Sequence, residues 1–550
     1  MPKSRERLIS QKTGLQVLNQ HLLLGSKFEN PPQVKGELIT QSYPGLEPVN
    51  VLDIAATTAL QCYAKGVAPM HPRPQHYEIA HSTLDSGHDT TRLHYQATFK
   101  LNGVSRETVH QILHSTPFYN SEQQSQRYAE AKIGFYQVPS GLDESQKQIF
   151  LDAAKYTNQQ YQILIEALRP EIENRVRSAY SPSAWNVKNS ADRLNTKIDK
   201  ACQEIARYVL PIAQQSVMDH TLSELQLLRL FRSSLMPHFN DEAKYVIGEM
   251  VKVVADADPQ FLEELRQPLS NFPQIESEPI SQEYVMAQKT EFDSRLAGQN
   301  SALVDANSVD HRKILANAVR NVLGLPSSKL TDEEALDHLF NPAKNPLLAD
   351  IMESGMFDPL TSCLRQSHLT FEILLSHTAD SQRQRHRRTP GATPTLEAVY
   401  SNLENGNLDY ITPMVIRENS ELSKLYHQIM SKIYQNVQTA INSGIPKDQA
   451  LTLLPNAHAY RVTESGDLFD WIHRLKQRLC FNAQEEIFSI SANQAQQILK
   501  LIPEASKILL APCGIRRFAD TSPFCPEGAR YCGTRVDLLA LDNYPDYRLI

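Results

Sequence analysis

Hydrophobic positions recur at intervals of three and four residues along most of the chain, which is the spacing of one face of an α-helix. This spacing predicts helices over residues 51–65, 144–168, 191–210, 241–254, 309–323, 418–442 and 484–501. Two shorter stretches, 92–101 and 368–374, are rich in aromatic and β-branched residues and predict strands. Because helices and a few strands occur without regular β–α–β alternation, we predict a predominantly helical α+β fold.

A weak internal repeat runs through the chain in constant order. The repeated pairs are Thr98-Phe99 with Thr370-Phe371, Ser105 with Ser376, Gln111 with Gln382, 135–139 with 409–413, and Leu210-Pro211 with Leu454-Pro455. The second copy follows the first by 272 positions at Thr98, by 271 at Ser105 and by 244 at Leu210. Ordered matches of this kind are typical of duplicated domains, so we predict a tandem duplication.

The two copies differ in length after their matching prolines. Leu210 follows Pro139 by 71 positions, whereas Leu454 follows Pro413 by only 41. We therefore expect roughly one extra helical hairpin in the first copy, within residues 143–200.

The middle of the chain has the composition of an exposed linker. Prolines at 268, 273 and 279 interrupt a stretch rich in Ser and Glu. We predict a first domain over residues 1–270, a linker over 271–281, and a second domain over 282–550 that ends in a cysteine-containing tail.

Composition and charge exclude several classes of protein. The 550 residues are 41% hydrophobic and 21% charged, with a net charge of −7, which supports a sizeable core and argues against disorder. No run of about 18 apolar residues is present, so we expect no membrane span, and the acidic balance argues against general nucleic-acid binding. The first residues lack an apolar leader segment and the cysteines are mostly isolated, so we expect a cytoplasmic protein.

The first candidate site is the polar run 122–128. A proline and an asparagine at 117 and 120 resemble turn and capping residues, so we predict that the run lies on a helix. Its side chains offer amide, hydroxyl, guanidinium and phenol groups, from Gln124, Ser125, Arg127 and Tyr128. Arginine forks onto oxyanions while amides and hydroxyls add hydrogen bonds, which suits a phosphate beside a planar heterocycle. The alternative is a solvated polar face of a helix.

The second candidate site lies in the other half of the chain. Residues 383–388 place four arginines and one histidine in six positions, which predicts a local positive site for an anionic cofactor or nucleotide. Further along, His473 and Arg478 stand five positions apart, and residues 483–487 read Ala-Gln-Glu-Glu-Ile. The alternatives are a solvated basic loop and an exposed amphipathic helix.

Three cysteines in the tail form a third feature. Cys513, Cys525 and Cys532 fall within 20 residues, a density that would allow zinc or iron–sulfur binding with a fourth ligand. No Cys-x2-Cys knuckle is present, so loop cysteines or an occasional disulfide are favoured and we assign no metal ligand.

Together these motifs resemble the flavin-dependent thymidylate synthase family, and the chain looks like two divergent family domains fused in tandem. The first half keeps a GHxT motif at 87–90, a QQSQRY motif at 123–128, and residues Gln111 and Arg207. The second half keeps an RHR motif at 385–387, an HxxxxR motif at 473–478 and an AQxEI motif at 483–487. Each half lacks motifs that the other keeps, because His114-Ser115-Thr116 stands in the RHR position of the first half and no QSxRY follows the RHR of the second. In the first half the AQxEI motif is reduced to Ala243-Lys244-x-x-Ile247.

The resemblance implies a site and a reaction. The implied substrate-binding residues are Gln111, Gln124, Ser125, Arg127, Tyr128 and Arg207. The implied FAD-binding residues are Thr90, Arg385, His386, Arg387 and His473. Arg478 would be the catalytic residue that polarises the uracil, and one composite site could join the first half's QSxR residues with His473 and Arg478. The resemblance implies no enzyme nucleophile.

The reaction implied is reductive methylation of a pyrimidine nucleotide, dUMP to dTMP, with FAD as cofactor and NADPH and methylenetetrahydrofolate as co-substrates. Since family members are homotetramers, a homodimer of this fused chain would form a pseudo-tetramer. The alternative is a degenerate family member that binds nucleotide or flavin without turnover and acts as a regulatory or assembly partner.

Overall fold

The structure is a computed structural model, and it describes most of the chain. The described residues are 14–37, 50–61, 64–66, 68, 72–115, 120–127, 134–139, 141–180, 188–236, 238–265, 281–304, 308–400 and 408–548. Among them, no helix combines the length and the apolarity needed to cross a bilayer.

Residues 14–23 are helical, and fifteen further helices of seven or more residues have both ends within the described ranges. They are α1 Val51–Gln61, α2 Pro74–Asp85, α3 Arg106–Ser115, α4 Glu144–Ala179, α5 Lys188–Ala206, α6 Glu224–Ser233, α7 Asp241–Ala257, α8 Gln282–Leu296, α9 His311–Leu323, α10 Asp332–Phe340, α11 His377–Arg383, α12 Ser420–Asn442, α13 Leu468–Arg478, α14 Glu485–Leu501 and α15 Pro512–Phe518. Short helices add Phe261–Glu264, Leu396–Val399, Met414–Arg417, Lys447–Ala450 and Tyr544–Tyr547. The predominantly helical α+β fold is confirmed.

Eight described strands form two antiparallel sheets with the same topology. The strands are β1 Gln33–Glu37, β2 Gln96–Ser105, β3 Asn120–Gln123, β4 Gln215–Ser223, β5 Ser301–Val304, β6 His368–Ser376, β7 Gly391–Ala392 and β8 Ala459–Asp467. The first sheet has the order β1-β2-β4-β3 and the second has the order β5-β6-β8-β7. The same elements follow in the same order in both copies, so the tandem duplication is confirmed.

The change of offset from 272 to 271 has a structural cause in β2. The pairing of β2 with β4 shifts its register between Asn102 and Val104, which leaves Gly103 as a bulge. Gly103 has a φ of 77°, a backbone conformation that glycine adopts without the steric cost of a side chain. The matching strand β6 pairs with β8 without any shift and is one residue shorter.

The extra length of the first copy is helical, as expected. Residues 143–200 contain all of α4, which has 36 residues, and the larger part of α5, which has 19. The second copy has only the 23-residue α12 and the four-residue helix Lys447–Ala450 in this interval.

The chain forms two compact units. Unit 1 takes the described residues within Met1–Tyr156, Pro211–Ile280 and Asn436–Leu454, and unit 2 takes those within Thr157–Leu210, Ser281–Gln435 and Pro455–Ile550. Each sheet lies within one unit, whereas each unit also includes a segment from the other half of the sequence. Apart from Ser281, the predicted linker lies outside the described residues, and the domain boundaries stay a prediction.

The helices beside the candidate sites begin at residues whose side chains accept a backbone hydrogen bond. These N-caps are Ser223 of α6, Asn240 of α7, Ser376 of α11, Asp467 of α13 and Gln484 of α14. Side-chain caps satisfy amide groups that have no partner within the helix, so they fix where it starts. Since caps lie at matching positions in the two copies, the matching helices start at the same points of the fold.

The helix expected over 122–128 is not present in its described part. Residues 120–123 form β3, in which Asn120 pairs with Thr221 of β4, and the Gln124 amide extends this pairing with a 2.9 Å hydrogen bond to the Val217 carbonyl. Pairing with β4 satisfies the backbone of this polar run more completely than one short helical turn would, so the tertiary context overrides the local pattern.

Candidate active site

Each unit contains a buried glutamate that joins the start of one helix to the start of another. In unit 2, the backbone amide and the hydroxyl of Ser376 each donate a 2.6 Å hydrogen bond to Glu486. In unit 1, the same two groups of Ser105 donate to Glu242 over 2.7 and 2.6 Å. Burial raises the pKa of Glu242 and that of Glu486 to about 7, against the opposing effect of these hydrogen bonds.

This pairing corrects one motif alignment. The sequence pattern aligned the AQxEI motif of the second copy with residues 243–247 of the first. The hydrogen bonds and the caps instead match Glu486 with Glu242 and Gln484 with Asn240, four residues earlier. The first copy therefore keeps the buried glutamate of this motif, although its neighbours have changed.

Arg478 is fixed by hydrogen bonds to two neutral residues of unit 2. Its Nε donates to Nε2 of His386 over 2.7 Å, and Nη2 donates to the Gln382 carbonyl over 2.9 Å. Nη1 is 3.3 Å from the Gln382 side-chain oxygen. Both of these partners are neutral groups, and together they hold the guanidinium in place.

His386 is buried and lacks one hydrogen bond. Burial first, and then the charge of Arg478, lowers the pKa of His386 well below its usual value, so the ring is neutral. Since Nε2 accepts from Arg478, the proton of the neutral ring lies on Nδ1. Among the described residues Nδ1 has no hydrogen-bond partner, which leaves a buried donor available to an acceptor atom of a ligand.

Below these residues lies a group of four buried charges, Asp380, Arg383, Glu464 and Arg474, which we name the charge quartet. Arg383 pairs with Asp380 and lies 3.7 Å from Glu464, and Arg474 pairs with the other oxygen of Glu464. The two positive and two negative groups balance, which buried charges require. A Cβ atom at Gly391 would lie 2.2 Å from the Arg383 guanidinium, so only glycine leaves room for it on β7.

The basic run 383–388 is only partly the positive site that the sequence predicts. Arg383 belongs to the charge quartet, and Arg388 lies 3.8 Å from Glu353 and 3.6 Å from Asp470. Carboxylates of the chain thus offset part of the charge of the run. Of the two arginines that flank His386, Arg385 is exposed and Arg387 is half-buried.

Glu353 contacts His473 and two cations of unit 2, Lys476 and Arg388. It accepts a hydrogen bond from His473, pairs with Lys476 over 2.6 Å and lies 3.8 Å from Arg388. Burial alone would raise the pKa of Glu353, but the bond from His473 and the charge of Lys476 outweigh it and bring this pKa to about 2. The residue has a φ of 59°, a strained conformation for a side chain of this size.

The first three of the QSQR residues, 124–126, border a cavity of unit 1, and Arg127 follows them in the chain. Gln124, Ser125 and Gln126 line a space of about 320 Å³ together with Phe135, Gln215 and Asn102. The Ser125 hydroxyl accepts a 3.2 Å hydrogen bond from the Arg127 amide, which fixes the turn of this segment. Tyr128 lies outside the described residues.

The other first-half residues of the expected site have separate positions. Gln111 accepts a 3.0 Å hydrogen bond from the Asn240 amide and donates one of 2.8 Å to Glu107, so its amide group supports the start of α7 in unit 1. Thr90 is exposed in the 3₁₀ turn Asp89–Leu93 of unit 1. Arg207 is buried and belongs to unit 2, where its carbonyl accepts a bond of 3.0 Å from Asn456.

Three residues of the unit 2 site escaped the sequence pattern, namely Glu353, Gln382 as a partner of Arg478, and Asp470. Burial and then Asp467 raise the pKa of Asp470 to about 6. Gln382 was detectable as the repeat partner of Gln111, whereas Glu353 stands in no motif and no local signal marks it.

Both copies of the repeat match the same protein family. Residues 49–260 and 302–504 match the model of the family described as thymidylate synthase complementing protein. The chain belongs to this family. The expected family is therefore confirmed over most of the sequence.

The relatives of this chain that match it are flavin-dependent thymidylate synthases. The protein from Clostridium tetani is 25% identical over 213 residues, which cover 38% of this chain and 78% of that relative. The protein from Nitratidesulfovibrio vulgaris is 24% identical over 198 residues, which cover 34% and 74%. The protein from Thermococcus onnurineus is 25% identical over 168 residues, which cover 30% and 68%.

One solved structure that resembles this member of the family is a UMP/dUMP methylase, PolB, from Streptomyces cacaoi bound with 5-Br dUMP. It is 18% identical, with a TM-score of 0.29, and the match covers 45% of this chain and 99% of that one. At this TM-score the likeness carries no argument.

The residues of unit 2 fit a flavin dinucleotide in their chemistry. Arg385 and Arg387 offer guanidinium groups, which pair well with the oxygens of a diphosphate. The unpartnered Nδ1 of His386 offers a buried donor for an acceptor atom. Glu353 and Asp470 are carboxylates of this site that oppose an anion.

Proposed function

We propose that this chain catalyses flavin-dependent reductive methylation of a pyrimidine nucleotide, with dUMP converted to dTMP. FAD is the proposed cofactor, and NADPH and methylenetetrahydrofolate are the proposed co-substrates. Family membership supports the class of chemistry. The observation that carries the proposal is Arg478, an arginine held by neutral partners beside an unpartnered histidine donor.

Arg478 acts as the electrostatic catalyst in this proposal. A methylation at C5 of uracil builds negative charge on the ring, and a fixed guanidinium stabilises such charge without reorganising. Gln382 and His386 supply the fixing hydrogen bonds but no compensating charge. His386 is a positioning residue for Arg478 and donates from Nδ1 to the ligand.

The QSQR residues of unit 1 act as the nucleotide phosphate site. Arg127 pairs with the phosphate, Ser125 adds a hydroxyl donor, and Gln124 presents an amide to the cavity of about 320 Å³. A cavity of this size accommodates a nucleotide, since small-molecule pockets start at about 300 Å³.

FAD, when bound, supplies the hydride for the reduction. Arg385 and Arg387 hold its diphosphate, while His473 and Thr90 are the remaining expected contacts. The task of the protein is to bind, to orient and to keep charges in place.

The activity test is tritium release from C5-labelled dUMP in the presence of FAD, NADPH and methylenetetrahydrofolate. We expect release by the unaltered chain and a drop of about 10²–10³ in rate for Arg478→Ala, the usual effect of losing one fixed donor to a developing charge. The control Arg295→Ala removes an exposed arginine that pairs with Glu372 in the same unit, and it should leave the rate unchanged.

Nucleotide binding is measured separately by calorimetry with dUMP. Arg127→Ala should weaken binding about tenfold or more, because a charge-assisted hydrogen bond contributes about 1.5–3 kcal/mol. The exposed Arg169, which pairs with Asp199, provides the control Arg169→Ala. The proposal fails if Arg127→Ala and Arg478→Ala both leave nucleotide binding unchanged.

A second candidate function is non-catalytic binding of nucleotide or flavin in a regulatory or assembly role. It is favoured by Glu353, a carboxylate that already pairs with Lys476 and accepts a hydrogen bond from His473 at the cofactor side of unit 2. A flavin band that NADPH does not bleach, together with no tritium release, would support this function over the first. Light scattering measures the predicted homodimer.

A further inference from the structure

Four of the six described cysteines come together in unit 2. Cys480 follows α13, Cys513 lies in α15, and Cys525 and Cys532 lie in the segment after α15. None of the four forms a disulfide, and all are partly buried. Each thiol is near enough to the other three to interact with them electrostatically.

Hydrogen bonds outside the thiols hold these segments together. The Asn482 side chain donates a 2.6 Å bond to the Arg530 carbonyl, which joins the Cys480 segment to the Cys532 segment. Arg548 of the tail donates to the carbonyls of Phe481 and Ala483 over 3.2 and 2.6 Å. The segment that directly follows Cys480 is therefore held to the tail by hydrogen bonds.

An amide donor and a cation lie beside two of these cysteines. The Asn482 amide hydrogen-bonds to the sulfur of Cys480. Lys197 donates a 3.0 Å hydrogen bond to the Cys532 carbonyl, which places a cation beside this cysteine. Amide donors and nearby cations stabilise thiolates, which are the form of cysteine that binds metals.

Four thiolates at this place need a counter-charge. A metal centre would take the place of the thiol protons, because metal binding by cysteine releases them. Its positive charge would offset the repulsion between the four thiolates.

We propose that Cys480, Cys513, Cys525 and Cys532 hold one metal centre, an iron–sulfur cluster of the [4Fe–4S] type. Four cysteines are the complete ligand set of such a cluster. Among the described residues, no three cysteine sulfurs lie within 4.8 Å of one another. A single tetrahedral zinc ion would bring all four to about 3.8 Å, given its bonds of about 2.3 Å, whereas a cluster with iron at its corners spreads its ligands further apart.

Most of the proposed metal site lies outside the part of the chain that the family model matches. Three of the four ligands lie beyond residue 504, where the second family match ends. The fourth, Cys480, stands two positions after Arg478. The cluster would therefore tie the tail to the loop between α13 and α14 and fix the end of the helix that carries Arg478.

Iron and acid-labile sulfide are measured on the full chain purified without oxygen, and again after incubation with ferrous iron and sulfide under reducing conditions. We expect about four of each per chain, as the [4Fe–4S] type requires. Cys513→Ser and Cys532→Ser should each lose most of the iron. The controls Cys202→Ser and Cys363→Ser remove buried thiols that interact with none of the four, and they should keep it.

Two outcomes would overturn the proposal. About one zinc per chain in place of iron would overturn the cluster assignment, and no bound metal after incubation would overturn the site. Circular dichroism checks that a variant is folded, and the metal content of the unaltered chain stands even where a variant does not fold. Since iron and sulfide are measured without flavin or nucleotide, the result is independent of the proposed methylation.

Discussion

The charge quartet of unit 2 and the matching positions of unit 1 show two ways of filling the same part of one fold. Matching by sheet register places buried Val109, Ile112, His220 and Leu230 where unit 2 has Asp380, Arg383, Glu464 and Arg474. Burial lowers the pKa of His220 to about 3, so the unit 1 set carries no charge.

The comparison separates the fold from the site. Both sets leave the same sheet and helices in place, since a balanced group of buried charges and an apolar group are each acceptable in a core. Only the charged set lies under His386 and Arg478, and the position matching Arg478 is Ser234, which bonds to His21 in unit 1. The buried charges are therefore found in the unit that also carries His386 and Arg478.

The largest expected effect comes from removing one member of the charge quartet. Arg474→Leu introduces the residue of unit 1 and leaves Glu464 without its main partner, which should cost about 3–5 kcal/mol of unfolding free energy. Exchanging all four residues for the unit 1 set should recover most of this loss. Denaturant titration measures both variants, with Leu230→Met in unit 1 as a control of less than about 1.5 kcal/mol. A four-residue exchange no more stable than Arg474→Leu would contradict the matching.

Glu242 and Glu486 should give both units the same pH dependence. Their folded pKa of about 7 lies above the unfolded value, so the folded state holds more protons between the two, and stability falls as pH rises from about 4.5 to 7. Each carboxyl accounts for a fall of about 3 kcal/mol at most. Glu242→Gln and Glu486→Gln should each flatten this fall, which urea titration at a series of pH values records. A fall that neither variant changes would disprove the assignment.

Glu353 should restrain anion binding in unit 2 alone. Glu353→Gln removes the negative charge beside His473 and Lys476, so we expect pyrophosphate or FAD to bind about tenfold more tightly, equivalent to about 1.4 kcal/mol. Fluorescence titration measures the affinity. The control Glu372→Gln changes a carboxylate that pairs with the exposed Arg295, and it should leave the affinity as it is. Weaker binding by Glu353→Gln would show that this carboxylate supports the site.

The smallest expected effect concerns the bulge of β2. Gly103→Ala forces a side chain into a φ of 77° and should cost about 1 kcal/mol of unfolding free energy. Replacement of Ala97, which lies in the same strand without a bulge, by serine tests whether any small change in β2 has this cost. Equal effects of the two variants on the thermal midpoint would remove the special role of the bulge.

The helices could be predicted from the sequence because helical spacing is a local pattern. The repeat could be predicted because both of its copies lie in the same chain and can be compared directly. The sequence led to a helix at 122–128 because pairing with β4 is decided by residues nearly a hundred positions away. It left the role of Arg383 open for the same reason, since Glu464 and Arg474 are distant in the sequence. Likewise, Cys480 stands 33 positions before the next cysteine of its cluster, and spacing alone gives no reason to join it to the tail.

The composition of unit 1 from three chain segments has a consequence for the order in which the protein is made. Its last segment, Asn436–Leu454, leaves the ribosome long after the rest of the unit. Residues 281–435, 155 in all, separate it from the preceding segment of unit 1, and at usual rates of synthesis they take about 8–30 s. During that time the first half of the chain waits in an incomplete state, in which chaperones can bind it, and its completion depends on continued translation of the second half.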